Sequence, residues 1–133
     1  MLPEIKGVSQ ESLIRVMSPP PKLRLDALGM VVCPRTAWPA VRAKFCRVER
    51  LAKGSKLHTV QSTIYTRFVD DKATAISSGS ALAVKVVLVG GVPWVFDGHH
   101  TYAGYVFLDR QPLLAVFMED AKGDVIQPPK LFR

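Results

Sequence analysis

A chain of 133 residues, 48% apolar and 22% charged, has the size and composition of one globular domain, which excludes general disorder. Its two cysteines, Cys33 and Cys46, are too few and too far apart for a disulfide framework or a zinc knuckle, so they read as reduced, partly buried thiols. The formal charge of +7 is uneven: residues 1–56 hold eleven Lys or Arg against four carboxylates, while residues 57–133 hold seven of each sign. A localised positive field concentrates phosphates and releases their counterions, which points to a polyanionic partner; a merely basic, well-solvated surface explains the same counts.

The first sixteen residues are interrupted by Pro3, Glu4, Lys6, Glu11 and Arg15, so no signal-peptide apolar region is expected there. The longest apolar run, between Lys85 and Asp97, is broken by Gly90, Gly91 and Pro93 and is too short to span a bilayer. A cytoplasmic protein with no membrane partner is the expectation. Pro19-Pro20-Pro21 closes an N-terminal segment, residues 1–22, as a stiff connector. Leu23, Leu25 and Leu28 follow, and residues 30–33 read as a buried strand.

Residues 36–54 carry the pattern of a helix. Thr36 suits its cap, Pro39 its first turn and Gly54 its end. Val41, Phe45, Val48 and Ala52 recur at helical spacing as an inward stripe. Arg42, Arg47, Arg50 and Lys53 fall on the other side, which makes a basic amphipathic helix suited to a nucleic-acid backbone, or simply a solvated face. Residues 59–69 are rich in β-formers, Asp70-Asp71-Lys72 reads as a polar turn, and residues 77–80 as a flexible connector. His58 stands alone in a polar context and is expected at the surface.

The C-terminal half is plainer. A strand over 82–89, a two-residue Gly90-Gly91 turn and a return strand over 92–96 form a hairpin. Asp97-Gly98-His99-His100 then leads into a short helix from about 101 to 108. Asp109-Arg110-Gln111-Pro112 closes it, and 113–118 is another buried strand. The tail, 119–133, has a turn at Lys122-Gly123-Asp124 and is expected to pack loosely. Trp38, Trp94, Tyr102 and Tyr105 read as packing residues.

The turn at 97–100 is where chemistry concentrates. A buried strand delivers its end to the sheet edge, a glycine lets the backbone bend into a helix, and free N–H groups at the helix start make an anion site. Two adjacent imidazoles add donors near neutral pH. Asp97 has three open roles: orienting a histidine, capping the helix, or holding a divalent ion. Turn and cap alone also explain the pattern.

Strand, Asp97-Gly98-His99-His100, helix and following strand together resemble the ParB/sulfiredoxin-like superfamily, over roughly residues 82–118. The resemblance implies a compact α/β (α+β) single domain spanning 1–133, a small mixed sheet with packed helices. It places Gly98, His99, His100 and Thr101 on a phosphate, with Asp97 as the acidic residue that opens the turn. Thr101 departs from the family's arginine, and a hydroxyl lacks the bidentate, charged contact of a guanidinium. No cysteine lies in the motif, which argues against reductase chemistry. The expected function is a nucleic-acid-directed phosphate-binding protein, a ParB-like nuclease with DNA as partner. In it His99, His100 and Asp97 are catalytic, Asp97 holds Mg or Mn, and Arg42, Arg47, Arg50 and Lys53 hold the backbone. The alternatives are an ATP-using, nucleotide-binding hydrolase or kinase, and a non-catalytic inhibitor with a protein partner, of the kind that plasmids and phages carry.

Overall fold

The computed structural model describes residues 22–130; the expected N-terminal segment up to Pro21 and residues 131–133 lie outside the described residues. In chain order the elements are β1 (Lys22–Arg24), β2 (Val31–Val32), a short 3-10 turn (Arg35–Ala37), β3 (Arg42–Arg50), β4 (His58–Thr59), β5 (Thr63–Tyr65), α1 (Thr66–Ser77), β6 (Val84–Val89), β7 (Val92–Asp97), α2 (His99–Phe107), β8 (Leu113–Glu119) and β9 (Asp124–Val125). The fold class is α+β, as expected. A mixed seven-stranded sheet runs β2-β4-β7-β6-β8-β3-β9, and β1 pairs with β5 as a separate ribbon. No helix among the described residues is long and apolar enough to cross a membrane.

Strand alternation sends side chains of the central strands to two cores. Val84, Val86, Val95, Leu114 and Val116 join Val69 of α1 and Tyr102 and Ala103 of α2 in one cluster. On the other face Val87, Ala43 and Ile126 gather with Trp38, Trp94, Phe96 and Phe117. The helices therefore cover one face, and the segments around Trp38 and Ile126 cover part of the other. Tyr105 is buried, with its hydroxyl donating to Leu82 O, and Trp38 packs edge-on against Trp94 at 6.1 Å. All four aromatic residues expected to pack do so.

The β6–β7 hairpin forms as read, with Val89 facing Val92. Gly90 and Gly91 take φ of 57° and 80°, the two positive values that a tight hairpin turn with the strands' own twist demands.

Two expectations are overturned. Residues 42–50 form β3, not a helix, and pair antiparallel with β8 from Ala43 to Arg50. The reason is a bulge: Phe45 faces Phe117 and Arg47 faces Val116, so Cys46 is an extra residue on β3. An inserted residue changes a strand's spacing of two into three. Phe45 and Val48 thus fall on one face three residues apart, and with Val41 they imitate a helical stripe. Pro39 precedes the strand, and Gly54 belongs to the turn beyond it, at φ 85°.

The second correction concerns 66–77. The β-rich composition ends with β5 at Tyr65, and Asp70-Asp71-Lys72 lies inside α1 rather than in a turn. Val69 and Ile76 are its buried residues, two turns apart on one side. Gly104 of α2 admits α1 closely: a Cβ there would lie 3.1 Å from Ala73 N and 3.2 Å from Ile76 Cδ1. Packing against α2 outweighs the local composition. The tail is also better held than expected, with Ile126 buried. Trp38 Nε1 donates to Ile126 O at 3.2 Å and an Arg35 guanidinium N–H to Pro129 O at 2.9 Å.

Candidate functional site

Gly98 is the N-cap of α2, with φ 95° and ψ 26°, and no side chain caps the helix. This left-handed conformation suits glycine, and here space demands it too: a Cβ would lie 3.1 Å from Val84 Cα and 3.3 Å from Ala83 O. The chain turns between the end of β7 and the start of β6, and Tyr102 N donates to Gly98 O at 2.9 Å as the first helical bond. The N–H groups of α2's first turn have no helical acceptor.

Both histidines turn inward toward the segment between β4 and α1. His99 is buried, and its Nε2 shares a 2.7 Å hydrogen bond with Thr59 Oγ1. That hydroxyl also accepts from Gln61 N at 3.1 Å. His100 Nε2 accepts from Tyr65 N at 3.1 Å, and its ring meets Phe68 edge-on at 5.3 Å. The pair brackets α2 to the β4–β5 segment and to the start of α1.

Electrostatics follow from that placement. Burial pushes the His99 imidazole down from 6.5 to about 3, with His100 beside it adding to the effect. Burial and then the Lys72 ammonium lower His100 as well. Both rings are neutral at pH 7, and His100 can accept from Tyr65 only while its Nε2 is unprotonated.

A cavity of about 630 Å³ opens at this turn, lined by Gly98, His99, His100 and Thr101 together with Gln61, Lys72 and Lys130. The two lysines and Gln61 are the residues that sequence reasoning missed. Lys72 comes from a helix read as a turn, and Lys130 from a tail read as loose. Thr101 is 5% exposed and is among the residues lining the cavity.

Asp97 also lines the cavity, but its carboxylate is exposed and lies 3.7 Å from Lys85 Nζ. Among the described residues no three His, Cys, Asp or Glu side chains are grouped as a metal would require. Asp97 is the carboxylate among the residues lining this cavity, and magnesium is commonly held by one or two carboxylates together with waters and phosphate oxygens.

None of Arg42, Arg47, Arg50 and Lys53 lines this cavity. Arg42 donates to Gly123 O at 3.1 Å, and Arg47 pairs with Glu49 at 3.3 Å. Arg50 donates to Gln111 O at 3.1 Å and lies over the Tyr105 ring. The four belong to β3 and the turn after it, so the expected basic helix is corrected to a strand and a turn. A second cavity, about 510 Å³, lies against Glu49, Lys56, His58 and Leu88. His58, expected at the surface, is half-buried: its ring packs against Trp94 at 5.5 Å, and its Nδ1 is buried without a hydrogen-bond partner among the described residues.

No protein-family model, curated protein or solved structure matches this chain.

Proposed function

We propose that this protein binds the phosphate of a nucleotide-sized ester at the start of α2. The observation that carries the reading is the convergence of Lys72 and Lys130 on the cavity into which Gly98 opens the helix N-terminus. Backbone N–H groups and the helix dipole favour an anion there, and two ammonium groups supply the charge that Thr101 lacks. The cavity falls within the range of roughly 300–1,000 Å³ typical of small-molecule sites.

Binding is favoured over cleavage. A general acid or base needs a pKa near the working pH and an unencumbered nitrogen, whereas His99 sits at about 3 and is bonded to Thr59. In the binding reading the two histidines hold the turn in shape, and the amides and lysines hold the ligand. A small phosphate ester is favoured over a polymer because the cations of β3 do not line the cavity.

Calorimetric titration with AMP, ATP and inorganic phosphate, with and without magnesium, tests this. Saturable binding that weakens about tenfold in both Lys72→Ala and Lys130→Ala is the expected result, since a hydrogen bond to a charged group contributes about 1.5–3 kcal/mol. No heat at millimolar nucleotide overturns it. Tight binding of oligonucleotides, accompanied by cleavage that His99→Ala with His100→Ala abolishes, replaces it with the nuclease.

A further inference from the structure

Two buried polar side chains beside the start of α2 each keep one atom that no protein group satisfies. Gln61 is 3% exposed and lines the cavity at the Gly98 turn. Its Nε2 donates to Thr63 O at 2.9 Å, and its main-chain N–H donates to Thr59 Oγ1. Oε1 is thus an acceptor without a protein donor among the described residues.

The second atom belongs to His99, and the hydroxyl that His99 meets fixes its tautomer. Thr59 is fully buried, and its Oγ1 already accepts from Gln61 N. The hydroxyl proton then needs an acceptor, and among the described residues His99 Nε2 supplies it at 2.7 Å. A neutral imidazole that accepts at Nε2 carries its proton on Nδ1. His99 therefore offers Nδ1–H as a donor, tied to the Gln61 acceptor through one shared hydroxyl. Neither atom is sealed off: among the described residues the unpartnered side-chain atom enclosed from solvent is His58 Nδ1. Gln61 Oε1 and His99 Nδ1 thus open onto the cavity that their residues line.

A donor and an acceptor held together suit a hydroxyl, which gives one hydrogen bond and takes another. The rest of the wall says what carries that hydroxyl. Among the described residues lining it none is Phe, Tyr or Trp, and the apolar ones are Leu82 and Ala83. A nucleobase is held largely by stacking on exposed ring faces. Here the His99 ring is buried, and that of His100 packs against Phe68 at 5.3 Å. A sugar instead needs hydrogen-bonding groups and little apolar surface. Lys72 and Lys130 line the same cavity, which sets the hydroxyl-bearing part of the ligand next to its phosphate. We infer that this cavity takes a sugar phosphate and recognises a sugar hydroxyl, with Gln61 Oε1 accepting from it and His99 Nδ1 donating to it. The inference rests on the phosphate reading above and adds which part of the ester is recognised.

The test is calorimetric titration of the full chain with ribose 5-phosphate, AMP, butyl phosphate and inorganic phosphate. Ribose 5-phosphate is expected to bind about tenfold more tightly than butyl phosphate, which lacks the hydroxyls, as one or two hydrogen bonds supply. AMP is expected to bind no more tightly than ribose 5-phosphate. Gln61→Met, close in size and without the acceptor, removes the preference for the sugar and leaves inorganic phosphate binding unchanged. Ring nitrogen shifts in NMR serve as a readout on the parent chain. They should show His99 protonated at Nδ1, with that resonance moving on addition of ribose 5-phosphate. Butyl phosphate binding as tightly as ribose 5-phosphate, or a His99 proton on Nε2, overturns the inference and leaves the phosphate reading standing. AMP binding tenfold more tightly than ribose 5-phosphate overturns it in favour of a site for the base. If none of the phosphates binds, the phosphate reading falls and this inference falls with it.

Discussion

The two polar regions of this molecule are built in opposite ways. At the start of α2, His99, Thr59, Gln61 and Thr101 are buried, and the two imidazoles bond to protein groups. Along β3 the side chains of residues 44–50 lie exposed, and the Arg47–Glu49 pair is solvated on both partners. The chain's densest run of cations thus does not line the cavity that carries its polar machinery. Lysines distant in sequence, Lys72 and Lys130, line that cavity instead. Charge density along a sequence is not charge density in space.

The sharpest way to break this contrast is acid. The folded pKa of His99 lies below its ordinary value, so the unfolded chain binds more protons between pH 6.5 and about 3. Its stabilising contribution is then fully present above pH 6.5 and is lost as pH falls toward 3, by up to about 5 kcal/mol. His100, lowered in the same direction, adds to the slope. Urea unfolding of His99→Gln as a function of pH should show a flatter profile across that window; an unchanged slope means that His99 is not the group concerned.

Gly98→Val is expected to cost about 3 kcal/mol, from left-handed strain and overpacking together. Its Cβ meets the β6 backbone near Val84, and φ is 95°. A midpoint in urea unchanged from the parent refutes the tight turn. Gly104→Leu separates α1 from α2, where Ala73 N lies 3.1 Å from the added Cβ. A loss of about 2 kcal/mol is expected from such overpacking, and Lys72 moves away from the cavity with α1. Phosphate affinity in that variant should therefore fall along with stability. At the far end of the comparison, Arg47→Ala leaves the melting temperature unchanged, because an exposed pair contributes little. A clear drop in melting temperature would mean that the β3 edge is less solvated than its exposure states.

The turn region was readable because its code is local. Gly90-Gly91 and Asp97-Gly98 are dipeptides with few backbone solutions, and the strands beside them are nearly unbroken apolar runs. Tyr102 and Tyr105 were readable as core because large aromatic side chains bury most of their area. β3 was not, since the residue inserted at Cys46 disguises its period. α1 was not, because Thr66 follows directly on the β-formers of β5 and its helical stripe, Val69 and Ile76, is brief. Lys72, Lys130 and Gln61 had no signal at all: nothing in their local sequence links them to Gly98.

By itself, then, the amino-acid sequence determined the α+β class, the β6–β7 hairpin, the glycine turn into α2 and the aromatic core residues, each set by short-range sterics and short apolar runs. Only the tertiary structure decided that β3 is a strand, that α1 is a helix, and which cations face the turn. Those outcomes depend on pairing with β8 and packing against Gly104, contacts between residues far apart in the chain, whose free energy exceeds the weak local preferences of the segments involved.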